Sequence, residues 1–135
     1  MKNRKENNSN AFIVIVRPAL IGWIVGAIVC LIVLVVMAAF LSSQDVPQTV
    51  VMPLAIIAAA IGSLIGGFVS ARIAGRNGWL AGGLTALLLY ILTLISGFGL
   101  LGHLDGQVVI IKFIAMLAAG MIGGILAVNF GKKKR

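Results

Sequence analysis

The sequence predicts an all-α integral membrane protein, a four-helix bundle in one domain. Three observations predict it. Of the 135 residues, 61% are hydrophobic and 10% are charged, against roughly 25% charged in an ordinary soluble domain. The mean hydropathy is +1.15, too apolar for a chain of this length to cover a core with polar surface. The apolar residues fall into four uninterrupted stretches bounded by basic residues, prolines and glycines. A soluble globular enzyme, a disordered chain and a disulfide-stapled secreted module are all excluded.

A helix needs about 20 apolar residues to cross a hydrocarbon core about 30 Å thick. Ala19 to Leu41, Val50 to Ala71, Trp79 to Leu101 and Val108 to Phe130 each supply 22 or 23, and Lys112 is the single charge among them. Helix is the expected state because isolated strands leave backbone groups unsatisfied in lipid. The segments also lack the alternation of a membrane barrel. The expected organisation is a basic tail over 1–18, a spanning domain over 19–130 and a basic tail over 131–135.

Each expected element has its punctuation. Pro18 fits the first turn of the first helix, where a missing N–H is tolerated. Pro47 lies in the first connection, and Pro53 in the first turn of the second helix or at its start. Glycines turn the chain between Arg72 and Gly78, and again between Gly102 and Gln107. The short connections make successive helices antiparallel neighbours. The first apolar run is too long for a signal-peptide core of about 7–15 residues, so it is read as an uncleaved span.

The net charge of +8 marks topology rather than nucleic-acid binding. Lys2, Arg4, Lys5 and Arg17 precede the first span, Arg72 and Arg76 lie between the second and third, and Lys132, Lys133, Lys134 and Arg135 end the chain. The first and third connections carry no basic residue. The positive-inside rule therefore sets both termini in the cytoplasm, with Asp45, His103 and Asp105 outside. The basic tails suit anionic lipids, each charge near the surface contributing about 1 kcal/mol.

Glycine carries the strongest motif. The 17 glycines recur four residues apart, a spacing that puts them on one helix face. Gly22 and Gly26 form such a pair in the first helix. The second holds Ala58, Gly62, Gly66 and Ser70 on one line and Ser63, Gly67, Ala71 and Gly75 on the next. Gly78 and Gly82 continue the pattern in the third helix, Gly120 and Gly124 in the fourth. Small residues let helix backbones approach in lipid, so these positions are expected at helix contacts, first of all within the bundle. Two lines on the second helix suggest a central position with two neighbours.

A duplication of two hairpins is also suggested. Gly22-Trp23 and Gly26 match Gly78-Trp79 and Gly82 at an offset of 56 residues, and Ile65-Gly66-Gly67 matches Ile122-Gly123-Gly124 at 57. On that reading Trp23 and Trp79 both lie near the cytoplasmic interface, and Arg76 and Lys133 share a register.

Little in the chain points to chemistry. Thr85, Tyr90, Thr93 and Ser96 in the third span and Ser63 and Ser70 in the second are mild. Ser and Thr can bond the preceding turn's carbonyl, whereas Tyr90 should seek a partner. Ser96, Gly97 and Gly99 soften the end of the third helix. Lys112 near a span end is expected to extend towards the headgroups, with Asp105 within reach. No acid is expected in the bilayer, which argues against proton-coupled transport. One cysteine, Cys30, excludes an internal disulfide, and one histidine with no clustered carboxylates makes a metal site improbable. No nucleophile elbow or phosphate loop is present. No catalytic residue and no cofactor are therefore expected.

Arg17 to Gly22 reads Arg-Pro-Ala-Leu-Ile-Gly, and the following hairpin bears Gly66-Gly67, Arg72, Gly75 and Gly78-Trp79. With the Gly-Gly of the fourth span and the basic end, the chain resembles the YrzE-like family of small four-span, Gly-rich membrane proteins of Gram-positive bacteria. The resemblance implies a multi-pass protein of the bacterial plasma membrane and brings no activity with it. The reading is then a non-enzymatic structural or interaction protein, associating with itself or with a membrane-protein partner. The alternative is a small oligomeric channel or transporter without an intramembrane carboxylate.

Overall fold

The computed structural model describes residues 2–75, 77–102 and 105–132. They form four helices, α1 (Lys2–Ser42), α2 (Gln48–Ala74), α3 (Gly78–Leu101) and α4 (Gly106–Lys132), and among the described residues there is no strand. All four are long and apolar enough to cross a membrane. Each of the four apolar stretches lies inside one of them.

The first helix begins well before the expected start. It runs unbroken through Pro18 from Lys2, so the stretch expected as a tail is helical over its described length. Its 41 residues extend about 60 Å at a rise of 1.5 Å, about twice the hydrocarbon thickness. A proline forfeits one backbone hydrogen bond. Once the span is formed, each further residue adds a bond without a new nucleus, so the apolar run from Ala11 to Val16 carries the helix on. Pro53 likewise lies within α2, whose N-cap is Pro47 in an extended conformation.

The ends of α2 and α3 show why glycine stands where the chain turns. Gly75 has φ 70° and donates its N–H to the Ala71 carbonyl at 3.0 Å, and Gly102 has φ 58° and donates to Phe98 at 3.3 Å. Left-handed geometry of this kind costs other residues roughly 1–2 kcal/mol, which is why helices so often end on glycine.

We call the end of the bundle bearing the second connection basal, and the end bearing the first and third connections distal. The helix α2 touches α1, α3 and α4, and α3 touches α1, α2 and α4; among the described residues α1 and α4 make no contact. In cross-section the bundle is a rhombus with α2 and α3 on its short diagonal. Hence α2 is central, with three neighbours rather than the two its small-residue lines suggest. The buried residues are mostly small, among them Ala19, Ala58, Ala71, Ala81, Ala86 and Ala127, with Leu89 and Met116 as the large exceptions. The large side chains face outward, Val35, Phe40, Ile95 and Ile114 among them, as suits lipid as the solvent.

Candidate functional site

Three seams of close backbone contact hold the basal half. In the first, Gly22 and Gly26 of α1 face Gly62, Gly66 and Ser70 of α2. A Cβ on Gly66 would stand 2.9 Å from the Gly22 carbonyl oxygen, and one on Gly62 would stand 2.8 Å from the Cys30 Cβ. In the second, α2 meets α4. A Cβ on Gly67 would lie 2.5 Å from the Gly120 oxygen, and Gly123 abuts the Leu64 carbonyl. In the third, Gly78 and Gly82 of α3 face Gly120 and Gly124 of α4, and a Cβ on Gly120 would lie 2.6 Å from that of Ala86. Gly120 thus borders Gly67, Gly82 and Ser63 together. Both small-residue lines of α2 are used inside the chain, one against α1 and the other against α4.

The first and third seams are the same contact made twice. Gly22, Gly26, Gly62 and Gly66 occupy in one hairpin the places of Gly78, Gly82, Gly120 and Gly124 in the other, with Val128 standing where Ser70 stands. The offsets are 56 residues for the first helices and 58 for the second. The Ile-Gly-Gly match at 57 is therefore one residue out of register. Gly66 corresponds to Gly124, while Gly67 and Gly123 each face the other hairpin.

The buried hydroxyls tie the seams together. Ser63 donates to the Met116 carbonyl at 2.7 Å and Ser70 to that of Ala81 at 3.3 Å, both across helices. Ser63 and Ser70 could each bond their own preceding turn, but each stands where a neighbouring backbone comes close enough to accept instead. Thr85 does bond its own turn, at 2.8 Å to Ala81, and also reaches the Ala19 carbonyl at 3.5 Å. Thr93 donates to Tyr90 at 2.8 Å. The hydroxyl of Tyr90 donates to the Val109 carbonyl at 3.4 Å, and its ring packs edge-on against Phe113 at 4.8 Å.

The two tryptophans part company. Trp79 is exposed, whereas Trp23 packs on the core formed by Ala59, Leu89 and Met116. Its indole N–H is buried and has no hydrogen-bond partner among the described residues. Matching sequence positions in the two hairpins thus have different surroundings, because among the described residues α1 touches only α2 and α3 whereas α3 touches α1, α2 and α4.

Above the seams the helices separate. A cavity of about 180 Å³ lies between α2, α3 and α4, with Tyr90, Thr93, Gly97, Asp105 and Lys112 in its wall. A groove of about 650 Å³ runs beside it between α1, α2 and α3, floored by Cys30, Ala59 and Leu89 and walled by Leu34, Thr93, Ser96 and Lys112. Lys112 is half-buried and lines both. The sequence held one signal for this region: polar and small residues at the distal end of α3, opposite the lone charge of the fourth apolar stretch.

At the basal rim Arg17 and Arg72 are exposed, and the Arg72 guanidinium lies 6.0 Å from the centre of the Phe68 ring, within reach of a cation–π contact. Arg76, His103, Lys133, Lys134 and Arg135 lie outside the described residues, as do the side chains of Lys2, Arg4 and Lys132. Asp45 is exposed in the first connection. Among the described residues no cluster of His, Cys, Asp and Glu could hold a metal ion.

No curated protein and no solved structure matches the chain. The model of one family matches residues 15–127, a stretch that holds all three seams and both distal spaces. By that match the chain belongs to the family described as "Protein of unknown function (DUF3792)".

Proposed function

We propose that the protein is a non-enzymatic multi-pass protein of the bacterial plasma membrane, with both termini cytoplasmic, that acts by binding a membrane partner rather than by conducting solutes. The observation that carries this is the basal closure. Glycine backbones meet across three helix pairs, and Ser63, Ser70 and Thr85 spend their hydroxyls on backbone carbonyls there. A wet path along α3 therefore ends at Thr85, which is fully buried. The distal half of α1 leaves room for such a partner, because Leu31, Ile32, Val35, Val36 and Phe40 are exposed along it and face lipid where no partner is bound. The resemblance to YrzE-like proteins supports the bacterial plasma membrane, and the placing of basic residues supports the orientation. Anionic lipids at the basic ends and self-association through α1 belong to the same reading, with no role for nucleic acid.

The distal spaces favour one second reading, an oligomeric channel or transporter that uses them as a vestibule. Single cysteines at Thr85, Tyr90, Thr93 and Ser96 in a Cys30→Ala background separate the two. With a charged thiol reagent, the expected outcome is labelling of Thr93 and Ser96 from the distal side only, none at Thr85, and no solute flux in liposomes. Labelling of Thr85 from both sides, with flux that the reagent blocks, would establish the channel. Reporter fusions test orientation: those after Gln44 and Gln107 should be active outside the cell, and those after Asn77 and Arg135 inside.

A further inference from the structure

We propose that the distal groove between α1, α2 and α3 binds one membrane lipid, holding an acyl chain along its apolar floor and an anionic headgroup against Lys112. The volume of about 650 Å³ falls within the roughly 300–1,000 Å³ of small-molecule sites. The groove is blind at its basal end, where Gly26 and Leu89 close on Gly62 and Gly66, so it holds a ligand and does not pass one. Its wall on α3 runs from Leu89 to Gly97, about 12 Å at 1.5 Å per residue, an elongated trough that takes part of an acyl chain while the rest lies in the bilayer. The groove opens sideways towards the bilayer: Leu31, Leu34 and Leu92 on its lips are 63%, 40% and 36% exposed.

Charge selects the headgroup. Among the described residues Lys112 is the one charged side chain in the wall of the groove, and the nearby acid, Asp105, lines the neighbouring cavity only. A lysine about 9 Å along α4 from Gly106, at 1.5 Å per residue, stands where a phosphate drawn slightly below the headgroup layer would meet it. The hydroxyl of Ser96 lies in the same wall and adds a donor for a phosphate oxygen. An apolar trough ending in one cation and one hydroxyl is complementary to a chain with an anionic head. It is poorly matched to a zwitterionic head, whose ammonium would face Lys112. The inference does not depend on which side of the membrane the distal end faces, or on the absence of conduction.

The test is native mass spectrometry of the purified chain released from micelles doped with phosphatidylglycerol or with phosphatidylcholine. One retained phosphatidylglycerol per chain is expected, favoured over phosphatidylcholine by about tenfold. In Lys112→Gln the preference should fall to near unity while the protein stays folded. In Ser96→Phe, where the ring fills the mouth of the groove at an exposed position, retention of either lipid should be lost. Replacing Lys133 and Lys134 by Gln should leave the preference intact. Equal retention of both lipids by the unaltered chain would overturn the proposal. So would a preference that survives Lys112→Gln, or one that disappears with the two terminal lysines, which would place the lipid at the basic tail.

Discussion

At the basal end α2 lies against α1 and α4 with glycine on both sides of each contact, whereas at the distal end the same helices stand apart around about 650 and 180 Å³. The change can be followed along each helix in steps of four residues. On α1 the line Gly22, Gly26, Cys30 passes to Leu34. On α2, read towards the distal end, Gly66, Gly62, Ala58 passes to Leu54. On α3 Gly78, Gly82, Ala86 gives way to Tyr90, and on α4 Gly124, Gly120 gives way to Met116 and Lys112. Helices in lipid gain nothing from burying apolar surface against one another, so contact depends on how closely backbones can pack. Where the small residues stop, large side chains prop the helices apart. The same apolar composition thus yields a closed half and an open half.

The sharpest way to break this comparison is to put a large side chain into a seam. Gly67→Leu would drive a branched chain into the Gly120 backbone, and Gly66→Leu into that of Gly22. Overpacking of this kind costs typically 1–3 kcal/mol and more where backbone must move. Both variants should lower the thermal midpoint in detergent and the amount of protein in the membrane far more than Val33→Leu, at a half-buried position of α1 beyond its glycines. Equal stability of all three would show that the seams are not close contacts.

A middle-sized effect is expected from the hydroxyls that bridge helices. Ser63→Ala removes the 2.7 Å bond to Met116 and leaves a carbonyl already used within α4, so the loss should be about 0.6–2 kcal/mol. Ser43→Ala, whose exposed hydroxyl bonds its own turn at Ala39, should change nothing measurable. Unfolding followed by a solvatochromic or intrinsic Trp signal would compare the two, and a larger loss at Ser43 would reverse the assignment of strength to the basal half.

These contrasts mark what the sequence could and could not convey. Four spans were legible because a bilayer imposes a length on any helix that crosses it. Which residues share a face of α2 was legible from the four-residue spacing. Which helix each face meets was not, because periodicity describes a helix and not its neighbour. The hairpin register slipped by one residue for that reason: Gly66-Gly67 and Gly123-Gly124 look alike as letters, yet Gly66 and Gly124 face their own hairpins and Gly67 and Gly123 the other. Ser63 and Ser70 look capable of bonding their own turns until a neighbouring carbonyl is brought within reach. Pro18 looks like a start because one missing N–H is visible in sequence, while the helix continuing past it to Lys2 is not. The distal groove is a gap between helices and leaves only Thr93, Ser96 and Lys112 as traces.

The smallest effect expected is also the one that tests the open half most directly. In a helix interior, alanine is more favourable than glycine by roughly 0.5–1 kcal/mol when the new methyl meets nothing. Gly99 lies in α3 and, outside its own stretch of helix, no atom among the described residues comes within 4 Å of where its Cβ would stand, whereas Gly67 would place that carbon 2.5 Å from the Gly120 oxygen. The same substitution should therefore have opposite signs at the two ends. Gly67→Ala should destabilise, because the atom it meets is backbone and cannot turn aside. Gly99→Ala should leave the thermal midpoint unchanged or raise it slightly, since only helix propensity is altered. The pair shares one chemistry, so propensity and detergent effects largely cancel in the difference between them, and what remains is the packing. A Gly99→Ala loss as large as that of Gly67→Ala would mean that another surface closes on the distal end of α3 and that the open half is a binding face already in use.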